Sequence, residues 1–229
     1  MGMIVNKSYI KRHRKGFVIC HWLNAVSFFM LFLTALPLYI PSFGDFYRAV
    51  GPYYFQVLHR AFGVLYLATP VIGLFIARNG YKRLITEATH FTKEDIEFQK
   101  KFPPELIGGQ PDLPKQGFYN GGEKMNILLQ AALWVVLAVT GVILWFGVDW
   151  SPVLRTWAIP IHSIAAGVGF AAALGHAYLA FVVNPDSVHG MKDGTVKAAY
   201  ALHHHESWVD ELVRDGKVTR EEVEAAAKH

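Results

Sequence analysis

The sequence predicts an all-α membrane protein built as a bundle of four transmembrane helices, and three observations predict it. Of 229 residues, 52% are hydrophobic, 14% aromatic and only 17% charged, a membrane composition and not that of a soluble domain. The charges are clustered, which leaves four apolar runs of the roughly 20 residues that a helix needs to cross about 30 Å of hydrocarbon. The basic residues alternate in density from one connection to the next, as they do when Lys and Arg are kept on one side of a bilayer.

The runs fall near 17–40, 53–77, 125–147 and 157–183. The first follows Lys11, Arg12, Arg14 and Lys15 and so begins like a signal peptide. Its apolar stretch is too long for the hydrophobic region of one, and it is read as a retained helix. With Lys7, five basic residues precede it; Arg48 alone lies in 41–52, eight lie in 78–124, Arg155 alone lies in 148–156, and six follow residue 183. Both termini and the long connection are therefore expected on the cytoplasmic side, with both short loops external. The net charge of +4 follows from this asymmetry, and no nucleic-acid-binding face is implied. The expected organisation is a transmembrane domain over 1–183, with a cytoplasmic loop at 78–123, and a cytoplasmic tail over 184–229.

The mixed-charge stretch Tyr81–Phe102 predicts an amphipathic surface helix that breaks at Pro103-Pro104. From Gly108 to Gly117, glycines and prolines read as an ordered or partner-bound loop, because the connection is too long for a simple linker. In the polar tail, Thr219-Arg220-Glu221-Glu222 has the form of a capping box. His203-His204-His205 is read as a solvated run in preference to a metal site. A single cysteine, Cys20, excludes an internal disulfide, a CxxC redox pair and covalent c-type haem attachment, and is expected to be a small buried hydrophobe. No phosphate-cradling glycine loop, Ser-His-Asp set or paired carboxylates offer hydrolytic chemistry.

Four of the eleven histidines lie inside the apolar runs: His21, His59, His162 and His176. Ionisable side chains at membrane depth are costly and mark function. His162 and His176 are 14 residues apart, which at about 100° and 1.5 Å per residue returns to within about 40° of one face and separates them by about 21 Å. His21 lies early in the first run and His59 early in the second, so alternating helix direction puts His59 level with His162 and His21 level with His176. Two bis-histidine pairs at two depths are what two six-coordinate b-type haems require for electron transfer.

Between the two histidines of the fourth run, Ala165, Ala166, Gly169, Ala172 and Ala173 form a stripe of small residues that would admit a flat macrocycle, and Gly63 is placed to do the same beside His59. Close helix packing alone also explains such a stripe; ligand spacing at both of its ends favours the haem reading. Arg60 and Arg155 outside, with Arg14 or Lys15 inside, are candidate propionate neighbours or simply boundary charges.

The His21-Trp22 pair, Leu58-His59-Arg60, the helix from His162 to His176 and, most specifically, Gly117-Phe118-Tyr119-Asn120-Gly121-Gly122-Glu123-Lys124 resemble the cytochrome b, or gamma, subunit of membrane-bound formate dehydrogenase. That family carries a similar Tyr-Asn-x-Gly-Gln-Lys signature before its third helix, and the resemblance runs to about residue 205. Cytochromes b of hydrogenases and thiosulfate reductases share the histidine pattern but less of this segment. The resemblance implies an external haem b on His59 and His162 and a cytoplasmic haem b on His21 and His176, in agreement with the depth argument. It also implies a quinone, menaquinone or ubiquinone, beside the cytoplasmic haem, contacted by Asn120 and Gly122 with His176 nearby. Asn120 can donate to a quinone carbonyl, and the Gly122 amide can approach without a side chain in the way. Glu123 departs from the family's glutamine: it can exchange a proton with the quinone site, pair with Lys124 or stabilise a helix start.

The reading is a di-haem cytochrome b of a respiratory complex in the bacterial cytoplasmic membrane. It carries electrons between an iron–sulfur (beta) subunit and quinone, with a molybdenum- or tungsten-containing subunit acting on formate beyond it. Quinone chemistry takes place on this chain, the partners are proteins and lipid and not nucleic acid, and a higher oligomer of the complex is compatible with the reading. The alternatives are a cytochrome b of a hydrogenase or of a thiosulfate or polysulfide reductase, or a haem-free proton relay.

Overall fold

The computed structural model describes residues 3–5, 7–146 and 151–228. Four long helices carry the apolar runs: α1 (Lys15–Ala35), extended by a short turn at Leu36–Leu38, α3 (Pro52–Ile76), α6 (Gly121–Phe146) and α7 (Pro152–Tyr178), which continues through a wider turn at Leu179–Val183. They match the expected runs to within a few residues. Residue 147, at the end of the third expected run, and 148–150 of the second short loop lie outside the described residues.

Helices are the forced solution for such segments, because each backbone amide and carbonyl is satisfied within the segment where no water is present to do it. Their outer surface has the character that a bilayer demands: Val64, Val71, Phe75, Val139, Ile164 and Phe181 are each more than half exposed. Such a belt would be an aggregation hazard in water and is stable only against lipid. Tyr53, Tyr54 and Trp157, exposed at helix ends, suit the interface between lipid and water. The chain is a mostly helical, multi-pass membrane protein.

The chain divides into two compact units. One comprises 19–76 and 131–172 and holds most of the length of the four long helices. Phe28 of α1 meets Tyr66 of α3 with ring centroids 6.2 Å apart, and Phe32 stacks on Phe170 of α7 at 3.8 Å. Trp134 of α6 donates its indole N–H to the Tyr66 carbonyl at 3.2 Å. A Cβ on Gly169 would come within 3.1 Å of the Phe28 ring, so at this position the small-residue stripe serves close packing of α7 on α1. Cys20 is buried, as expected. The first short loop carries a two-turn helix, α2 (Gly44–Val50), whose Phe46 and Tyr47 pack on Phe55.

The other unit gathers 1–18, 77–130 and 173–229. Its centre is a three-stranded antiparallel sheet in the order β1 (Ile4–Val5), β2 (Tyr9–Lys11), β3 (Thr195–Lys197), with Ile10 opposite Val196. Ile10 and Val196 are fully buried against α9 (Ala198–His204), α10 (Glu206–Arg214) and α11 (Arg220–Ala226), following the short α8 (His189–Lys192). Trp208, Val209 and Leu212, at helical spacing on α10, and Val223 of α11 complete this core. The capping box at Thr219 and Glu222 forms as expected.

Two expectations for this unit are corrected. The single amphipathic helix over Tyr81–Phe102 is two helices, α4 (Arg78–Ala88) and α5 (Lys93–Lys101). The break occurs because Thr92 and Asp95 form a reciprocal capping box that starts a new helix. Nor is His203-His204-His205 a solvated run: His204 and His205 are buried, at 3% and 0% exposure. The apolar face of α10 pulls them into the core, where His204 pairs with Glu105 at 3.1 Å and His205 Nδ1 donates to the Gly117 carbonyl at 2.9 Å.

Candidate cofactor and quinone sites

His59 projects from the second turn of α3 and His162 from the middle of α7, and the structure brings them together with ring centroids 6.5 Å apart and planes inclined by 61°. With an imidazole nitrogen about 2.0–2.1 Å from a first-row metal, that separation would leave room for one metal ion between the two rings. His59 and His162 could thus hold a haem iron, which would supply one-electron transfer. Each ring is held on its far side by a threonine: Thr34 Oγ1 of α1 lies 2.9 Å from His59 Nδ1, and Thr140 Oγ1 of α6 lies 2.8 Å from His162 Nδ1. A Cβ on Gly141 would already be 3.5 Å from His162 Cε1, so that glycine lets α6 come close to the ring. Of the candidate propionate neighbours, Arg60 lies over the Trp145 ring at 5.3 Å.

His21 and His176 belong to different units. His21 stands on α1 edge-on to Trp22, with ring centroids 5.5 Å apart. His176 lies near the end of α7 and is exposed. Among the described residues no three His, Cys, Asp or Glu side chains converge as a metal cluster; an axial haem pair needs only two.

Asn120, Gly122 and Glu123 meet at the start of α6. Asn120 Oδ1 accepts from the Glu123 amide at 2.8 Å while Glu123 Oε2 accepts from the Asn120 amide at 3.0 Å, a reciprocal cap that starts the helix. The Asn120 side-chain oxygen is thus taken, leaving its NH2 group as donor. Gln116 Oε1 accepts from the Gly121 amide at 2.7 Å, and a Cβ on Gly121 would stand 2.5 Å from the Asp95 carbonyl, so only glycine fits there. Between these occupied amides, that of Gly122 has no protein acceptor among the described residues.

Glu123 does not pair with Lys124. Its partner is Arg12, which donates to both carboxylate oxygens at 3.1 and 2.9 Å and also to the Phe118 carbonyl. Lys124 instead reaches Asp95 at 2.7 Å and the His90 carbonyl at 3.1 Å. His205 Nε2 lies 4.0 Å from Glu123 Oε2. Burial, with the Arg12 charge nearby, pushes the His205 imidazole down to about 3, so it is neutral with its proton on Nδ1. Burial also raises the Tyr119 and Tyr200 phenols. Arg12 Nε, the Tyr119 hydroxyl and His205 Nε2 are buried without a protein hydrogen-bond partner, which leaves capacity for water or ligand beside the start of α6.

Sequence reasoning missed Thr34, Thr140, Arg12 and His205 in these roles. Hydroxyls within apolar helices bond their own backbone and leave no pattern to read. Arg12 lies 111 residues from Glu123, with nothing in its local sequence to signal the pairing.

Comparisons with known proteins place the whole chain in a family. The family profile described as prokaryotic cytochrome b561 matches residues 12–194. The formate dehydrogenase cytochrome b556 subunit of Haemophilus influenzae is 33% identical, over 92% of this chain and 86% of its own length. The nitrate-inducible formate dehydrogenase cytochrome b556 subunit of Escherichia coli is 29% identical, over 92% of each chain. A second Escherichia coli formate dehydrogenase cytochrome b556 subunit is 30% identical, over 85% of this chain and 89% of its own. With a family match over most of its length and a relative this similar across nearly all of it, the chain belongs to the prokaryotic cytochrome b561 family, among the membrane cytochrome b subunits of formate dehydrogenases, and has their electron-transfer role.

Proposed function

We propose that His59 and His162 are the axial ligands of one haem b and His21 and His176 those of a second, in a chain that carries electrons across the bacterial cytoplasmic membrane. The first pair rests on the 6.5 Å ring separation, the observation that carries the proposal. The second rests on the 14-residue spacing from His162 and the depth argument. Haem held by two imidazoles supplies reversible one-electron transfer with no iron position open to oxygen.

On this reading both termini face the cytoplasm, electrons enter from an iron–sulfur subunit on the outer side, and quinone is reduced on the inner side. The relatives' names support formate as donor; a molybdenum- or tungsten-containing catalytic partner is part of this reading. Quinone is met by the Asn120 NH2 group and the unoccupied Gly122 amide, with His176 beside it. Glu123, held as a carboxylate by Arg12, sits where a proton for the reduced quinone is needed.

Purification from membranes with haem quantification and subunit identification tests this. Two haems b per chain are expected, with one lost in His162→Ala and the other, together with quinone reactivity, in His176→Ala. Retention of both haems in His162→Ala overturns the ligand assignment, and a hydrogenase or thiosulfate reductase large subunit in place of a formate-oxidising one overturns the partner. A Glu123→Gln variant with unchanged quinone turnover and unchanged pH dependence removes Glu123 from proton transfer.

A further inference from the structure

The two rings that approach each other are anchored in the same way from two unrelated places. Thr34 and Thr140 lie on different helices in segments with no sequence similarity, yet each is buried, at 7% and 6% exposure, and each touches Nδ1 of one histidine at 2.9 or 2.8 Å. A threonine hydroxyl has a single hydrogen. In Thr34 it points to the carbonyls of its own helix, Met30 at 2.8 Å and Leu31 at 3.0 Å; in Thr140 it points to Val136 at 2.6 Å.

Other hydroxyls of the long helices show the same habit: Ser27 donates to the Leu23 carbonyl at 2.6 Å, and Thr69 to the Leu65 carbonyl at 2.9 Å. Donation to the carbonyl four residues back is therefore the resting arrangement in this bundle. What such a hydroxyl offers a histidine is its lone pair, so the ring nitrogen it touches carries the proton.

We propose that Thr34 and Thr140 are positioning residues that hold His59 and His162 in the tautomer with the proton on Nδ1 and the lone pair on Nε2, aim both lone pairs at one iron, and so set the affinity and reduction potential of that haem. The inference rests on the reading that His59 and His162 hold a haem. An acceptor at Nδ1 makes the imidazole a stronger donor and favours ferric iron. Removing it weakens ferric more than ferrous binding and raises the potential.

The test uses the complex purified from membranes, with Thr34→Val and Thr140→Val, which keep the shape and remove the hydroxyl, Thr34→Ser and Thr140→Ser, which restore it, and Thr69→Val as a buried threonine that touches no histidine. Redox titration and the ferric low-spin electron paramagnetic resonance signal are read for each haem. Each valine variant is expected to weaken ferric relative to ferrous binding about tenfold, an upward shift of about 59 mV for a one-electron couple, in one haem only. Serine is expected to reverse it, and Thr69→Val to leave both haems unchanged.

Valine variants with wild-type potentials and resonance signals overturn the proposal, as does a shift of the same size in Thr69→Val. If the valine variants do not accumulate, imidazole ring bands in the redox-difference infrared spectrum of the unaltered protein decide: bands of an Nδ1–H bonded to a hydroxyl support the proposal, and bands of a free or Nε2-protonated ring overturn it. A His162→Ala variant that keeps both haems overturns the ligand assignment and this inference together. Loss of one haem in His162→Ala with unshifted valine variants overturns this inference alone.

Discussion

The two units handle buried polarity in opposite ways. In the helix bundle unit His59 and His162 are each held by one neutral hydroxyl, Thr34 or Thr140, which is itself satisfied by its own helix. In the unit built on the sheet, polarity is held by opposed charges: Lys124 with Asp95, both side chains under 10% exposed, and Arg12 with Glu123. A helix in lipid carries its own acceptors and needs no partner segment to supply them. Chain segments distant in sequence must instead recognise each other, and a buried ion pair does that at a desolvation cost that only correct pairing offsets.

If this contrast is right, the largest stability loss comes from breaking an ion pair. Lys124→Met leaves Asp95 as an unpaired buried charge and is expected to destabilise the sheet unit by about 3–5 kcal/mol, read as faster limited proteolysis of the segment after residue 184. Unchanged protection would show that the pair contributes little.

A smaller effect is expected from acid. The unfolded chain takes up a proton on His205 near 6.5, whereas the folded unit refuses it down to about 3. The unfolded state therefore binds more protons as pH falls below 6.5, and stability falls by about 1.4 kcal/mol per pH unit in that range. The window between pH 6.5 and 5 lies above the carboxylate range; burial also holds His203 down, so the difference between the wild-type protein and a His205 variant is what reports His205. The unfolding midpoint is expected to fall there in the wild-type protein and to fall less in His205→Gln.

The smallest change belongs to the bundle. Thr34→Val removes the neutral bond between the hydroxyl and His59, about 1 kcal/mol of stability, together with the hydroxyl's bonds to carbonyls of its own helix, and so is expected to move the melting of the helices little while shifting a haem potential. A large loss of bundle stability in that variant would erase the distinction between the two units.

The sequence carried the four spans because span length is a local and strong signal. His59 with His162 was legible from depth alone, since alternating helix direction leaves few pairings. The split between α4 and α5 was readable at Thr92 and Asp95, whose spacing is a capping motif, but the charge pattern over Tyr81–Phe102 was read as one helix. The burial of His205 was hidden by the polar average of the tail, which masks the stripe of Trp208, Val209 and Leu212. The Arg12 partner of Glu123 could not be read, because a charge beside a span is expected at any boundary and its specific mate lies 111 residues away.

The strand order β1-β2-β3 joins residues 4–11 to residues 195–197, and Arg12 also ties the amino-terminal segment to the first turn of α6. During synthesis the amino-terminal hairpin is made first, yet its third strand emerges only after α7 has been made. Until then Ile10 lacks Val196 across the sheet and the core of Trp208 and Val209 does not exist. Completion of this unit thus waits on the last long helix, and until residues 195–197 are made the β2 edge that carries Ile10 is uncovered.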